Sequence, residues 1–388
     1  MEYDKKKILV DCGLFQGKKE LRLRNWSEPP FDISKLSAIV LTHAHLDHTG
    51  YLPLIVKRGY RGPIYCTAAT RELLKLLLPD SAYLQEEEAR FANKHGTSKH
   101  KPALPLYDRK DAEETLKLLK IFDRHREFKV ADNCILSSVC AGHILGSVSL
   151  ALEIHGRRIV FSGDIGRYNT PILPAPTGLP CGDLMLCEST YGNREHQDSN
   201  LRKILGRIVR KTYERRSVLL IPAFAIGRTQ TLLYHLADME RDGDIPVLPV
   251  YVDSPMAVDA TGIYRRFKHD FDEEAQELIR AGETPLLTEN TIFCRSVNDS
   301  KRLNSLRGSR IIISASGMVT GGRILHHMRQ WLPKEETTVL FVGYQAYGTR
   351  GQIIQSGARE VKIFGQPVPI RAQVETISGL SAHGDRNE

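Results

Sequence analysis

Three imidazoles and a carboxylate fall within six residues, His43-Ala44-His45-Leu46-Asp47-His48, directly after the apolar run at residues 38–41. Four such groups crowded on one loop are mutually costly unless they share a partner. Neutral imidazole and carboxylate are the side chains that hold zinc in hydrolytic sites. On a loop leaving a strand, this spacing points two histidines one way and an Asp-His pair another, an arrangement that suits two adjacent metals. Two later strand ends offer further ligands. His143 lies in Ala141-Gly142-His143-Ile144-Leu145-Gly146-Ser147, and Asp164 in Phe161-Ser162-Gly163-Asp164-Ile165-Gly166. Taken singly, His143 reads as a core histidine and Asp164 as a turn or capping residue. Beside the first motif, each completes a pattern of ligands at strand ends.

The chain has 388 residues, 41% of them hydrophobic. A single core stops growing near ~250–300 residues, so two units are expected. Short strands at residues 7–10 and 38–41 are followed by helices over 70–123, with a polar connection around 93–105. Strands return over 134–164. Beyond residue 217, strands at 217–222, 246–253, 310–314 and 337–342 alternate with helices at 228–239 and 323–332. Repeated strand–turn–helix units predict a parallel sheet with helices on its faces. Residues 362–377 read as strands again.

Lys+Arg 54 against Asp+Glu 46 gives a net charge of +8, which leans toward an anionic partner without deciding for nucleic acid. The longest apolar stretch, 218–226, is broken by Pro222 and falls far short of the ~20 residues that cross a bilayer. The first residues lack the apolar region of a signal peptide. Seven scattered cysteines without CxxC spacing read as reduced thiols of a cytoplasmic protein.

The HxHxDH motif, the glycine-preceded histidine and Ser-Gly-Asp together resemble the metallo-β-lactamase superfamily, an α/β fold in which two sheets form an αββα sandwich. The resemblance implies that His43, His45 and His143 hold one zinc, Asp47 and His48 a second, and that Asp164 bridges them. Asp11, in Leu9-Val10-Asp11-Cys12-Gly13, matches the family's first acidic motif and is expected to orient a ligand histidine. Two Zn2+ at ~3.5–4 Å acidify a shared water and stabilise charge on both the attacking and leaving oxygens. The implied reaction class is hydrolysis, and these motifs alone leave the bond unspecified.

From Asp164 to His383 is 219 residues (383 − 164), too long for a compact esterase of the superfamily. Glu188, in Leu186-Cys187-Glu188-Ser189-Thr190-Tyr191-Gly192, and His383, in Gly379-Leu380-Ser381-Ala382-His383-Gly384-Asp385, resemble two motifs of the β-CASP branch of RNA-processing nucleases. Segments 252–257 and 314–323 resemble parts of that branch's inserted domain. The similarity covers almost the whole chain and is strongest toward bacterial and archaeal relatives of the endonuclease subunit of the pre-mRNA cleavage and polyadenylation factor. It implies a first domain over 1–192, a parallel-sheet β-CASP insert over 193–360, and a return of the first domain over 361–388.

By the same resemblance, the chain hydrolyses phosphodiester bonds of single-stranded RNA endonucleolytically. Asp164, Glu188 and His383 form the catalytic group. His383 is the general acid, since imidazole titrates near neutrality, and Glu188 orients it. Glycine turns that open helices present free N–H groups to phosphates. On that ground Arg228, Ser316, Gly317 and Arg323 are candidate RNA contacts, although ordinary βα turns look the same, and Ser254, in the resembling segment 252–257, joins them. His326 and His327 read as packing or surface residues, and His196 matches no motif.

One departure stands out. The family carries a further zinc histidine beyond the position of His383, and only five residues follow it here (388 − 383). A truncated form with an incomplete second metal site is therefore expected. Other readings stay open: a non-catalytic or weakened RNA-binding member, a 5′→3′ exoribonuclease or DNA nuclease, and a small-ester hydrolase, which the insert disfavours. A homodimer is compatible with each.

Overall fold

In the computed structural model, which describes residues 1–196 and 200–388, the chain divides into two units. The first comprises Met1–Tyr168 and Ala175–Ser189, the second Asn169–Pro174 and Thr190–Glu388.

In the first unit the short apolar runs become β1 (Glu2–Tyr3), β2 (Lys6–Val10), β3 (Leu36–Val40), β4 (Ile64–Cys66) and β5 (Leu119–Ile121), hydrogen-bonded in that order. From β2 to β5 the strands run parallel, with Val10 opposite Val40. A second sheet holds β6 (Phe128–Ala131), β7 (Cys134–Cys140), β8 (Val148–Ile154), β9 (Arg157–Phe161) and β10 (Leu184–Leu186), in the order β10-β9-β8-β7-β6. Its pairs are antiparallel except β9 with β10.

Ile8, Ala38 and Val40 of the first sheet share one core with Leu136, Val148, Leu150 and Leu152 of the second. Each large aliphatic side chain so buried contributes about 1.5–3 kcal/mol. Helices Leu52–Lys57 and Ala68–His95 both pack against helix Arg109–Lys117, and the long one also meets β5. It stops at Gly96, whose φ of 62° turns the chain out of the helix. The next helix opens on a capping box between Asp108 and Asp111. The polar connection expected around 93–105 lies between these two signals.

The second unit is built on β11 (Val218–Pro222), β12 (Val250–Val252), β13 (Thr291–Phe293), β14 (Arg310–Ser314) and β15 (Thr338–Phe341), followed by the hairpin β16 (Glu360–Ile363) and β17 (Gln366–Pro369), and β18 (Gln373–Thr376). The order β13-β12-β14-β11-β15-β18 is parallel throughout. Leu219, Ile221, Ile311 and Ile313 face one core, and Val218, Leu220 and Ile312 the other. Both faces are thus covered, which is why β11 reads as an unbroken apolar run rather than an alternating one.

β12 is shorter than the predicted 246–253 because Pro246 and Pro249 lack the N–H that a central strand must donate. β18 lies in the segment that the resemblance assigns to the first domain. Its ladder runs to β15, with Phe341 opposite Thr376, so it forms one edge of the second unit's sheet.

Candidate metal centre

Parallel register brings the carboxyl ends of β2 and β3 side by side, and Asp11 N donates to Val40 O at 2.9 Å. Asp11 therefore reaches the residue that opens the ligand loop. Its Oδ1 accepts from Thr42 N, and its Oδ2 from Thr42 Oγ1, each at 2.8 Å. Oδ2 also lies 2.7 Å from His48 Nδ1. Two glycines permit this close packing. A Cβ on Gly13 would fall 1.4 Å from the Asp47 carbonyl oxygen, and one on Gly166 would fall 2.0 Å from that of Gly142.

Four donors converge in this unit. His45 Nδ1 lies 3.1 Å from both His43 Nε2 and His143 Nε2. Asp164 Oδ2 is 3.5 Å from His43 Nε2 and 3.3 Å from His143 Nε2. His43, His143 and Asp164 are buried, and His45 is partly so. Ligands at ~2.0–2.1 Å from a tetrahedral ion are separated by about 3.3–3.4 Å, so these spacings fit one metal.

The tautomer of His43 agrees with that fit. The Thr42 hydroxyl donates its one proton to Asp11, so at His43 Nδ1, 3.0 Å away, it accepts. Nδ1 then carries the imidazole proton, and Nε2 turns a lone pair toward the other donors.

His48 Nε2 lies 3.2 Å from Asp164 Oδ1, the carboxylate oxygen not shared with the first set. Burial alone would lower the pKa of His48. Hydrogen bonds to Asp11 and Asp164 outweigh it and push the ring up to about 10. Asp47, on the helical turn Leu46–Thr49, is exposed and is not one of the four converging groups. Glu188 follows β10. Its Oε1 accepts from Ile165 N at 2.9 Å and its own N–H donates to Ser162 Oγ at 2.9 Å, which ties it to the Asp164 loop.

His383 belongs to the second unit. Its carbonyl oxygen accepts from His196 Nε2 at 2.8 Å, and its ring lies 6.1 Å from that of Tyr191, nearly parallel. His196 N donates to Asp385 Oδ2 at 2.7 Å, and Arg386 pairs with Glu195. His196 thus holds the His383 segment, and no sequence motif pointed to it.

The five candidate RNA contacts behave differently from one another. Arg323 Nη1 donates to Asp253 Oδ1 at 2.7 Å and to Cys294 O at 3.0 Å, while Nη2 donates to Arg295 O. Ser254 is buried and caps the helix Pro255–Arg266. Ser316 Oγ accepts from Thr320 N, and Gly317 O accepts from Gln345 Nε2. Arg228 opens the helix Arg228–Arg241, with Nε and Nη1 buried and lacking hydrogen-bond partners. Burial lowers its pKa to about 10, with Tyr191 acting in the opposite sense, so it remains a cation at neutral pH.

Comparison with known proteins follows the same two-part division. A family model described as Metallo-beta-lactamase superfamily matches residues 1–205, and one described as Beta-Casp domain matches 229–354. The chain is 36% identical over 385 residues to "Ribonuclease TTHA0252" of Thermus thermophilus, covering 99% of this chain and 84% of that protein. It is 33% and 32% identical to the proteins named "Transcription termination factor FttA" of Methanocaldococcus jannaschii and Methanosarcina mazei, covering 98% of this chain in each case. The chain spans 60% of the length of these two archaeal relatives. The superfamily implies divalent metals, and the His/Asp cluster supplies donors for them.

Proposed function

We propose a function from one premise: the chain belongs to the metallo-β-lactamase superfamily and carries a Beta-Casp domain. On that premise it is a metal-dependent ribonuclease that uses zinc and cuts inside single-stranded RNA. The convergence of His43 Nε2, His45 Nδ1, His143 Nε2 and Asp164 Oδ2 at 3.1–3.5 Å carries this reading. Relatives named as a ribonuclease and as transcription termination factors support RNA as the substrate.

When bound at such ligands, divalent metals polarise phosphoryl oxygens and acidify water. We assign the four converging residues to one metal, and His48, Asp47 and the second oxygen of Asp164 to another. Thr42 and Asp11 fix the tautomers of His43 and His48. Arg228, charged and with unmade hydrogen bonds, supports an anionic substrate, since a phosphate oxygen would accept from it. His383 delivers a proton to the leaving oxygen, a task matched to imidazole. Scattered cysteines without CxxC spacing support a reducing compartment, and we assign the chain to the cytoplasm.

The test is cleavage of labelled linear and circular single-stranded RNA. Chelation, Asp164→Asn and His383→Ala should each abolish or strongly reduce it, His383→Ala by about 10²- to 10⁴-fold. Cutting of the circle establishes the internal mode, and metal analysis gives the identity and number of ions. Cleavage that survives both chelation and Asp164→Asn would overturn the reading.

A further inference from the structure

Three loops leave the carboxyl ends of adjacent parallel strands in the second unit. Phe224 follows β11, Gly317 follows β14, and Tyr344 follows β15. The loop that carries Gly317 touches both of the others. A Cβ on Gly317 would lie 3.1 Å from Phe224 Cδ2, so the phenyl ring sits directly on the glycine. Gly317 O in turn accepts from Gln345 Nε2 at 3.0 Å, and Gln345 is the residue next to Tyr344.

This edge leaves aromatic surface in solvent. Phe224 is 42% exposed, Tyr344 59% and Tyr347 91%. The loop that carries Phe224 ends at Arg228, whose Nε and Nη1 lack partners. Arg228 is close enough to Tyr191 to feel its phenol, and Tyr191 stacks beside His383. In open parallel α/β sheets, ligands bind beyond the carboxyl ends of the strands, and neighbouring strands there are only ~4.8 Å apart.

Exposed rings on a loop edge that also carries a cation with unmade hydrogen bonds match two parts of one molecule, a base and its phosphate. A duplex hides its base faces within its own stack, so the ring surface selects an unpaired strand. We propose that this edge of the sheet reads single-stranded RNA, with Phe224 and Tyr344 stacking bases and Arg228 holding the adjoining phosphate. The proposal rests on the ribonuclease reading and adds to it the residues that hold the bases and the adjoining phosphate.

The experiment measures binding of a short oligoribonucleotide, and of the same oligomer with abasic positions, to His383→Ala protein held in chelator, so that it does not cleave, by fluorescence anisotropy. In that background Phe224→Ala and Tyr344→Ala should each weaken binding of the intact oligomer about 5- to 150-fold, the range for losing one stacked base. Tyr344→Phe keeps the ring and should bind as the parent does. The abasic oligomer should bind the parent weakly and be indifferent to either alanine. Arg228→Ala should lower the slope of log affinity against log salt by about 0.7 for the one phosphate lost, Arg228→Gln should do the same if the alanine variant fails to fold, and Arg228→Lys should keep the parent slope. Parent-like affinity of both aromatic variants for the intact oligomer would overturn the proposal. Equal binding of intact and abasic oligomers would remove the stacking while leaving the RNA reading in place. Failure of the parent to bind either oligomer would remove both.

Discussion

His48 sits between two carboxylates, Asp11 at 2.7 Å and Asp164 at 3.2 Å. Its pKa is lowered by burial and raised further by those two partners, and it settles at about 10. For a histidine with a raised folded pKa, the stabilisation is complete below the ordinary value of 6.5 and is lost as pH rises through about 10. Metal-free protein should therefore lose thermal stability over that window, and Asp11→Asn should flatten the slope. A metal ligand must shed its proton, so metal uptake near neutral pH should release one. Calorimetry in buffers of differing ionisation enthalpy measures that release, and its absence would refute the assignment. His196 makes a different kind of contact, donating to the backbone of His383 at 2.8 Å. His196→Ala should slow turnover roughly tenfold, the scale of one net hydrogen bond, with little change in KM. His196→Gln retains a donor and should recover most of the rate. The convergence of His43, His45, His143 and Asp164 was legible in the sequence because imidazole and carboxylate are specialised groups and these four lie in short motifs. His196 was not, because a bond to a main-chain carbonyl puts no requirement on the sequence at the other end.

At the scale of elements, the loops that carry the converging side chains are fixed by close backbone approach. Gly13 and Gly166 lie where a methyl group would meet a carbonyl oxygen. Gly13→Ala and Gly166→Ala should each cost about 1–3 kcal/mol and impair metal uptake, whereas Gly178→Ala, facing open space, should do neither. Thermal unfolding and metal titration of the three variants check this together. In the second unit, the end of β12 carries Asp253, fully buried and bonded to Arg323, His327 and Ser300. Burial would raise the pKa of Asp253, but those bonds outweigh it and hold it below the usual value. Asp253→Ala strands two basic side chains and should destabilise the unit by about 3–5 kcal/mol in urea unfolding. The sequence marked Ser254 and Arg323 as phosphate contacts, and the structure gives them a helix cap and an ion pair. A glycine-rich βα turn has the same sequence whether its polar groups meet a ligand or one another. The strands themselves were legible wherever both faces are buried. β12 was overextended because its two prolines look apolar but cannot donate.

Across the whole molecule, the alternation of strand and helix made the parallel sheet of the second unit legible, and three short motifs made the first unit's sandwich legible by resemblance. The placement of β18 was not, since a short strand of mixed polarity carries no mark of the sheet it joins. The cores are separate: Ile8, Val40 and Leu150 share one in the first unit, while Leu219 and Ile313 face one and Leu220 another in the second. The four converging donors all belong to the first unit. Binding to the native form alone stabilises what it binds, by about 2.7 kcal/mol at a hundredfold excess over Kd. Zinc added to chelated protein should therefore raise amide-exchange protection in β2, β3, β8 and β9 by that order and leave β11, β14 and β15 close to their chelated values. Mass-resolved exchange with and without zinc separates the two sets of strands. Equal gains in both would mean that the units open together, and a gain confined to the second would place the metal outside the His/Asp cluster.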